Sequence, residues 1–322
     1  MSRRRYTADR MDTGARAKSV GSPPEGVFSP IPTPFDADGS VDCDGLTRNL
    51  GHWIAAGLHG FVVLGSAGEG PLLSEEESMT VLRAARAAIP EDRWMIAGVG
   101  RHSTALTVAA ARAAKKAGAD AALVLPPYYY RRVTSEDALV AHYRAVVEGA
   151  GMPLLVYNMP AYTGLDLAPS AIVRLARLEG VVGIKDSSGD LGKLAFVRRE
   201  ASPSFSVLAG SAGFFVPALA AGASGGVLAL ANIAPESCLR LWSLARDGAW
   251  DDARELQGRL IPVNEAITRR WGPSGLKAAL DVLGLTGGAP RPPLESLSEG
   301  GRGELTTVLR RAGLLPASEE VR

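Results

Sequence analysis

Short apolar segments alternate with longer amphipathic segments along most of this chain. The short segments are rich in Val, Leu, Ile and Ala, as in buried strands, whereas the longer segments repeat their apolar residues at the helical interval. The chain therefore predicts a regular succession of strands and helices. The eight predicted strands begin at Val27, Phe61, Trp94, Ala121, Leu154, Val181, Ser206 and Gly226.

Several predicted helices have recognisable ends. Ser74 and Ser135 each precede acidic residues, a combination typical of a helix N-terminus. Gly57, Gly118 and Gly149 follow the apolar periodicity, at the point where glycine commonly ends a helix. These signals predict helices over 75–88, 105–117, 137–148 and 168–178.

Strand–helix alternation implies parallel strands, because parallel neighbours need a crossover connection. Eight such units predict an α/β fold of the (β/α)₈, or TIM, barrel type. A doubly wound open sheet is the alternative, and it usually carries a glycine-rich loop after its first strand. Here the first predicted strand is followed by PIPTPFD, which contains no such loop.

The regions outside the barrel differ from it in composition. Residues 1–24 are basic and polar with almost nothing to bury, which predicts a disordered extension. An Arg-rich targeting peptide is the alternative, and the aspartates of this stretch disfavour it. The barrel is predicted over 25–234, and 235–322 supplies its last helix and a C-terminal helical extension. Helices in that last region are predicted over 235–247, 249–270 and 273–283.

Composition excludes several classes of function. The 322 residues are 46% apolar and 21% charged, and the 35 basic and 34 acidic residues leave a net charge of +1. That balance does not favour a nucleic acid or an anionic membrane as partner. Two cysteines, and four histidines without ligand spacing, predict neither a disulfide scaffold nor a metal site. Since the chain shows no membrane-length apolar run and no signal-peptide core, we expect a cytoplasmic protein.

Lys185 ends the sixth predicted strand, VVGIKD, in a chain with six lysines against 29 arginines. Strand alternation predicts that Val181, Gly183 and Lys185 share the face that points into the barrel. Burial of an amine favours its neutral form, the nucleophile that makes a Schiff base with a carbonyl compound. The alternative is a structural lysine paired with a carboxylate such as Glu69.

Two further strand ends carry candidate chemistry. Tyr157 ends the fifth predicted strand and shares a face with Leu155, so its phenol is expected beside Lys185 as a proton donor and acceptor. Alternatively, the Tyr157 side chain only fills space inside the barrel.

The small-residue segment GSAGEG after the second strand, called the 65–70 loop below, suits close approach of an anion. The loop matches neither the P-loop pattern G-x-x-x-x-G-K-[ST] nor the dinucleotide-binding pattern G-x-G-x-x-G. A small carboxylate is therefore the favoured ligand.

Other strand ends leave alternatives open. The run PPYYY after the fourth strand predicts an interface or a surface platform. The small-residue loop AGSAG after the seventh strand, and the glycine pair before the eighth, are typical of phosphate sites in barrels. They favour a rival function as a phosphate-binding isomerase or aldolase. A catalytically silent binding barrel is a third possibility.

Five motifs occur in order, each at the end of a predicted strand: GSAGEG, PPYY, YNMPAYTG, GIKDSSGD and GGVLALAN. Together they resemble the dihydrodipicolinate synthase / N-acetylneuraminate lyase family of class I, pyruvate-handling aldolases. The resemblance runs from about Gly26 to about Leu294. It implies a TIM-barrel lyase for a small 2-oxo acid, a homodimer or homotetramer with no cofactor beyond the covalent Schiff base.

The resemblance also implies residue roles. Lys185 matches the Schiff-base lysine, and Tyr157 matches the tyrosine that relays protons to the bound pyruvate. Ser66 matches the hydroxyl residue that links this tyrosine to a second one. Tyr129 matches that second tyrosine, which a neighbouring subunit usually supplies.

Further matches concern the substrate pocket. Gly210 and Val227 match positions that line the pyruvate pocket, and Ser187 matches a serine near the substrate. The second loop hydroxyl of the family is replaced by Ala67, whose backbone N–H is left to contact the carboxylate. Synthases of the family carry Arg in x-P-x-R-T-G to hold the second carboxylate, and here that residue is Tyr162.

One branch resembles the chain more closely, namely the 4-hydroxy-2-oxoglutarate aldolases. The shared segments are GSAGEGPLL, PAYTGLDL, KDSSGD, VLAGSAGF, GGVLALAN and ITRRWG. The expected activity is cleavage of a 4-hydroxy-2-oxo acid to pyruvate and an aldehyde such as glyoxylate. The alternatives are 4-hydroxy-tetrahydrodipicolinate synthase, which joins pyruvate and aspartate semialdehyde, and a lyase of the N-acetylneuraminate type.

Overall fold

The computed structural model describes residues 23–316. Eight parallel strands pair in chain order and close into a barrel, which confirms the predicted TIM-barrel fold. Most of the predicted extension, residues 1–22, lies outside the described part of the chain. The strands are β1 (Gly26–Pro30), β2 (Gly60–Val63), β3 (Trp94–Gly98), β4 (Ala121–Val124), β5 (Leu154–Asn158), β6 (Val181–Asp186), β7 (Ser206–Ala209) and β8 (Gly225–Val227).

Helices cover the outside of the barrel and continue beyond its last strand. Among the described residues, none of them is long and apolar enough to cross a membrane. They are α1 (Cys43–Ala55), α2 (Glu75–Ala88), α3 (Thr104–Lys116), α4 (Glu136–Ala150), α5 (Pro160–Thr163), α6 (Pro169–Ala176), α7 (Leu191–Glu200), α8 (Phe215–Ala220), α9 (Pro235–Arg246), α10 (Trp250–Glu265), α11 (Gly272–Val282) and α12 (Glu299–Arg311).

Local chemistry explains most helix ends. Ser74 and Glu77 form a reciprocal capping box at the start of α2. The predicted stop at Gly149 is wrong, because α4 continues to Ala150 and the left-handed cap is Gly151. Gly149 serves packing instead: a Cβ there would approach the Val108 side chain of α3 to 2.8 Å.

The barrel separates two apolar clusters. The inner one contains Leu155 and Tyr157, whereas the larger outer one lies between strands and helices. A shift of register between β5 and β6 turns Val182 toward the inner cluster and leaves Val181 in the outer one. The predicted facing of Val181 is therefore wrong, because strict alternation ignores the irregularity. Beyond it the alternation resumes, with Ile184 in the outer cluster.

The C-terminal extension differs from its prediction in one element. A single helix is predicted over 249–270, but α10 ends at Glu265 and a π-helical turn, Ala266–Arg270, follows. This turn and the start of α11 lie over the carboxyl ends of the strands, where they form part of a cavity wall. A π-turn widens the helix by one residue and is frequent at functional sites.

Candidate active site

Neighbouring strands bring Lys185 and Tyr157 together at the carboxyl end of the barrel. The two residues are register partners on β6 and β5, and each side chain is about 4% exposed. The Lys185 Nζ atom lies 4.1 Å from the centre of the Tyr157 ring. The strand pairing therefore brings the predicted Schiff-base lysine and the predicted proton-relay tyrosine to one point.

Ser66 completes a short hydroxyl chain. It lies on the 65–70 loop after β2, and its Oγ is 3.3 Å from the Tyr157 hydroxyl oxygen. Burial raises the pKa of Tyr157, but the charge of Lys185 and hydrogen bonds, led by that of Ser66, lower it more. The pKa of Tyr157 therefore lies below its ordinary value, which suits a phenol that must release and accept a proton.

A cavity of about 920 Å³ opens above this pair. Seven of the nine site residues expected from the sequence line it, namely Ser66, Ala67, Tyr157, Tyr162, Lys185, Ser187 and Gly210. Val227 does not reach the wall and packs in the inner apolar cluster with Leu155 and Tyr157. The ninth, Tyr129, lies outside the cavity.

Tyr162 and Arg269 form the outer wall. Tyr162 is 56% exposed, and its hydroxyl is 3.8 Å from the position of a Cβ on Gly272. Burial, and then the nearby Tyr157, raise its pKa. Arg269 comes from the π-helical turn, and with Lys185 it accounts for the cations among the described residues lining this cavity. Its ion pair with Glu265 is long, at 3.8 Å.

The tyrosine run divides its residues between the site and the surface. Tyr129 is 69% exposed and contacts His102 and Tyr130 edge to face. Its expected role in a neighbouring subunit stays a prediction. Tyr128 and His102, which sequence reasoning missed, line a second cavity of about 230 Å³ together with Ser66 and Tyr157. The PPYY motif was the available signal for Tyr128.

A polar network behind the strands was also missed. Asn158 and Asp186 are the next register pair after Tyr157 and Lys185, and Asn158 Nδ2 donates to Asp186 Oδ2 at 2.7 Å. The same amide donates to Asp166 at 2.8 Å, and Asp166 pairs with Lys193. The signal was an amide and a carboxylate in otherwise apolar strands, since buried polar groups need partners.

Glu69 has a different partner from the one considered for it. Its carboxylate pairs with Lys277 of α11 at 2.5 Å, and not with Lys185. The alternative interpretation of Lys185, a structural lysine paired with a carboxylate, is therefore wrong in naming Glu69 as that carboxylate. Within residues 23–316, no group of three or more His, Cys, Asp or Glu could hold a metal ion.

Comparison with known proteins gives concordant matches. The model of the "Dihydrodipicolinate synthetase family" matches residues 23–312. A 4-hydroxy-tetrahydrodipicolinate synthase of Phenylobacterium zucineum is 37% identical, with 90% of this chain and 98% of that protein covered. One of Methanothrix thermoacetophila is also 37% identical, over 89% and 96%. The pyruvate-complexed dihydrodipicolinate synthase of Acinetobacter baumannii superposes with a TM-score of 0.86 at 32% identity, over 90% and 99%.

Proposed function

The chain belongs to the dihydrodipicolinate synthetase family, and on that premise we propose that Lys185 is its Schiff-base lysine. Members of this family are pyruvate-dependent carbon–carbon lyases that bind pyruvate covalently on a lysine and need no external cofactor. Small-molecule 2-oxo acids are therefore its substrates. Membership of this family supports Schiff-base lyase chemistry over the two rival interpretations, a phosphate-binding barrel enzyme and a catalytically silent binding barrel. The position of Lys185 beside Tyr157 at a barrel strand end supports its role.

The reaction follows from the arrangement of three side chains. The Lys185 amine attacks C2 of the 2-oxo acid, and the resulting carbinolamine loses water to form an imine. Once protonated, this imine accepts the electrons of the bond that breaks. Tyr157, hydrogen-bonded to Ser66, takes the proton of the C4 hydroxyl as the C3–C4 bond breaks. The aldehyde leaves, and the enamine of pyruvate remains on Lys185. Protonation at C3 and hydrolysis then release pyruvate.

The second substrate is the finer part of the proposal. We infer cleavage of a 4-hydroxy-2-oxo acid such as 4-hydroxy-2-oxoglutarate to pyruvate and glyoxylate. The observation that carries it is Tyr162, which lines the cavity at the position where the synthases carry Arg. Loss of a charged hydrogen bond costs about 1.5–3 kcal/mol, or roughly a 10- to 150-fold loss in productive binding of aspartate semialdehyde.

A second candidate has its own support. The curated relatives reported above carry the name 4-hydroxy-tetrahydrodipicolinate synthase, and they support that activity more than they support the aldolase branch. In the synthase reaction the same enamine attacks the aldehyde of aspartate semialdehyde. Arg269, which lines the same cavity as Tyr162, is the cation left for its carboxylate.

Steady-state kinetics on one enzyme preparation separate the two. The first arm measures pyruvate release from 4-hydroxy-2-oxoglutarate, and the second measures condensation of pyruvate with aspartate semialdehyde. We expect the larger kcat/KM in the first arm. A larger value in the second assigns the protein as a synthase and removes Tyr162 as the discriminating residue. Activity in neither arm, with pyruvate still trapped on Lys185 by borohydride, directs the search to other aldehydes.

A further inference from the structure

A second buried lysine lies behind the 65–70 loop. Lys277 of α11 is 0% exposed, and its Nζ contacts Glu69 Oε1 at 2.5 Å. The same nitrogen donates to the Ala289 carbonyl at 2.9 Å and lies 4.2 Å from the centre of the Phe35 ring. The other Glu69 oxygen accepts the backbone N–H of Arg291 at 2.7 Å. Glu69 is thus fixed from the C-terminal extension.

Glu69 occupies a strained place in the backbone. Its φ of 55° and the φ of 60° at Leu64 are the two positive values at non-glycine residues between 23 and 316. A left-handed conformation is unfavourable for an L-residue, so contacts elsewhere must hold it. These two residues flank the segment that carries Ser66. The strain therefore lies in the loop that presents the hydroxyl to Tyr157.

Close packing couples the two ends of this loop. The Glu69 N–H donates to the Ser66 carbonyl at 3.3 Å. A Cβ on Gly70 would lie 2.3 Å from the Leu64 carbonyl oxygen, and one on Gly68 would lie 2.9 Å from that of Ile31. Little free space remains on either side. A rotation of the Glu69 backbone must therefore displace Ser66.

We propose that the Glu69–Lys277 pair is a positioning device that holds the Ser66 hydroxyl on Tyr157. This inference rests on the proposed role of Tyr157 in proton transfer. Stability alone does not require such a pair, because well-packed apolar or neutral replacements of buried ion pairs are often neutral or stabilising. Burial lowers the pKa of Lys277, and its contacts with Glu69 act in the opposite direction.

The test uses the double variant Glu69→Gln/Lys277→Met, which removes both charges and keeps both side-chain volumes. Its readout is deuterium incorporation into the methyl group of pyruvate in D₂O, since this exchange needs enamine formation and proton transfer but no aldehyde. We expect a thermal midpoint near that of the wild type and borohydride trapping of pyruvate on Lys185. We expect the exchange rate to fall about 10- to 100-fold, because a small displacement of a positioned group is enough for such a loss.

Ser66→Ala identifies the route of the effect. If the pair acts through Ser66, adding Ser66→Ala to the double variant causes no further loss of exchange beyond that of Ser66→Ala alone. If the triple variant instead loses as much exchange as the separate losses of Ser66→Ala and the double variant multiplied together, the proposal is overturned. Wild-type exchange in the double variant would overturn it as well. The matched control is Arg86→Met/Asp120→Asn, which removes a partly buried ion pair at the opposite end of the barrel. It is expected to change stability and leave exchange unaltered.

Two further measurements keep the result unambiguous. Glu69→Asp retains the charge but shortens the side chain by one methylene group, so it tests the geometry if the double variant does not fold. Wild-type exchange from Glu69→Asp would contradict the proposal. Wild-type protein that shows neither exchange nor trapping contradicts the proposed function itself. Wild-type exchange in a variant that lacks the pair contradicts only the positioning role.

Discussion

A Cβ atom on Gly210 would lie 1.9 Å from the Ser187 hydroxyl oxygen and 2.8 Å from the Asp186 carbonyl oxygen. The loops after β6 and β7 therefore meet at the cavity wall with room for no side chain at residue 210. Gly210 and Ser187 both line the cavity, so a change at one must move the other.

Gly210→Ala is predicted to reduce activity strongly and stability modestly. The added methyl group must displace Ser187 or the β6 backbone, and overpacking typically costs about 1–3 kcal/mol. Enzyme assays and thermal unfolding measure the two effects. Gly51→Ala is the matched control, because nothing lies within 4 Å of its Cβ position. In the interior of α1 it is expected to stabilise by roughly 0.5–1 kcal/mol. Unchanged activity of Gly210→Ala contradicts the prediction.

Borohydride reduction with pyruvate is predicted to label Lys185. Both Lys185 and Lys277 are buried, but Lys277 is held in an ion pair with Glu69, whereas Lys185 lines the cavity. Peptide mass spectrometry should locate the pyruvyl adduct on the peptide that contains Lys185. Lys185→Ala should abolish both labelling and activity. An adduct on Lys277 would refute the assignment.

Tyr129 is predicted to complete the proton relay of a neighbouring subunit. Tyr129 and Tyr130 are each 69% exposed, which makes them a matched pair. Tyr129→Phe should lower kcat by about 100-fold or more through loss of the phenol, while Tyr130→Phe should leave kcat unchanged. Sedimentation should show that neither variant alters the assembly, a symmetric dimer or tetramer. A fully active wild-type monomer would count against this role.

Arg269 is predicted to bind the carboxylate at the far end of the second substrate. Arg269→Gln should raise KM for 4-hydroxy-2-oxoglutarate at least 10-fold, since a charged hydrogen bond contributes about 1.5–3 kcal/mol. KM for 4-hydroxy-2-oxopentanoate, which lacks that carboxylate, should not change. Arg270→Gln is the control, because Arg270 stacks on Trp271, pairs with Glu304 and is absent from the cavity wall. Equal effects on both substrates would disprove the carboxylate contact.

His142 is predicted to make stability depend on pH. Burial lowers its pKa from 6.5 to about 4, so the unfolded chain binds more protons between those pH values. Stability from this group is therefore present above pH 6.5 and lost as the pH falls, by about 3 kcal/mol at pH 4. Denaturant unfolding of His142→Gln should show a shallower loss over this range. His52→Gln, at an exposed position of α1, should retain the wild-type slope.

The sequence alone predicts the barrel and the proximity of Lys185 and Tyr157, because both depend on local rules. Apolar periodicity distinguishes strands from helices, and parallel strands present their carboxyl ends at one edge. Lys185 and Tyr157 each lie one residue before the end of neighbouring strands, so their proximity follows from chain order. The capping serines likewise act within one helical turn, which is why α2 begins as predicted.

Other features follow from contacts between distant parts of the chain. The irregularity in β6 that reverses Val181 and Val182 appears only when β6 pairs with β5. Gly149 lies against Val108 of α3, and the π-helical turn lies over the carboxyl ends of the strands. Glu69 meets Lys277, which lies more than 200 residues away in the chain, through the packing of α11 over the strand ends. Apolar periodicity carries no information on which buried ionisable side chains pair with each other. Their pairing depends on how distant segments of the chain pack in the folded barrel.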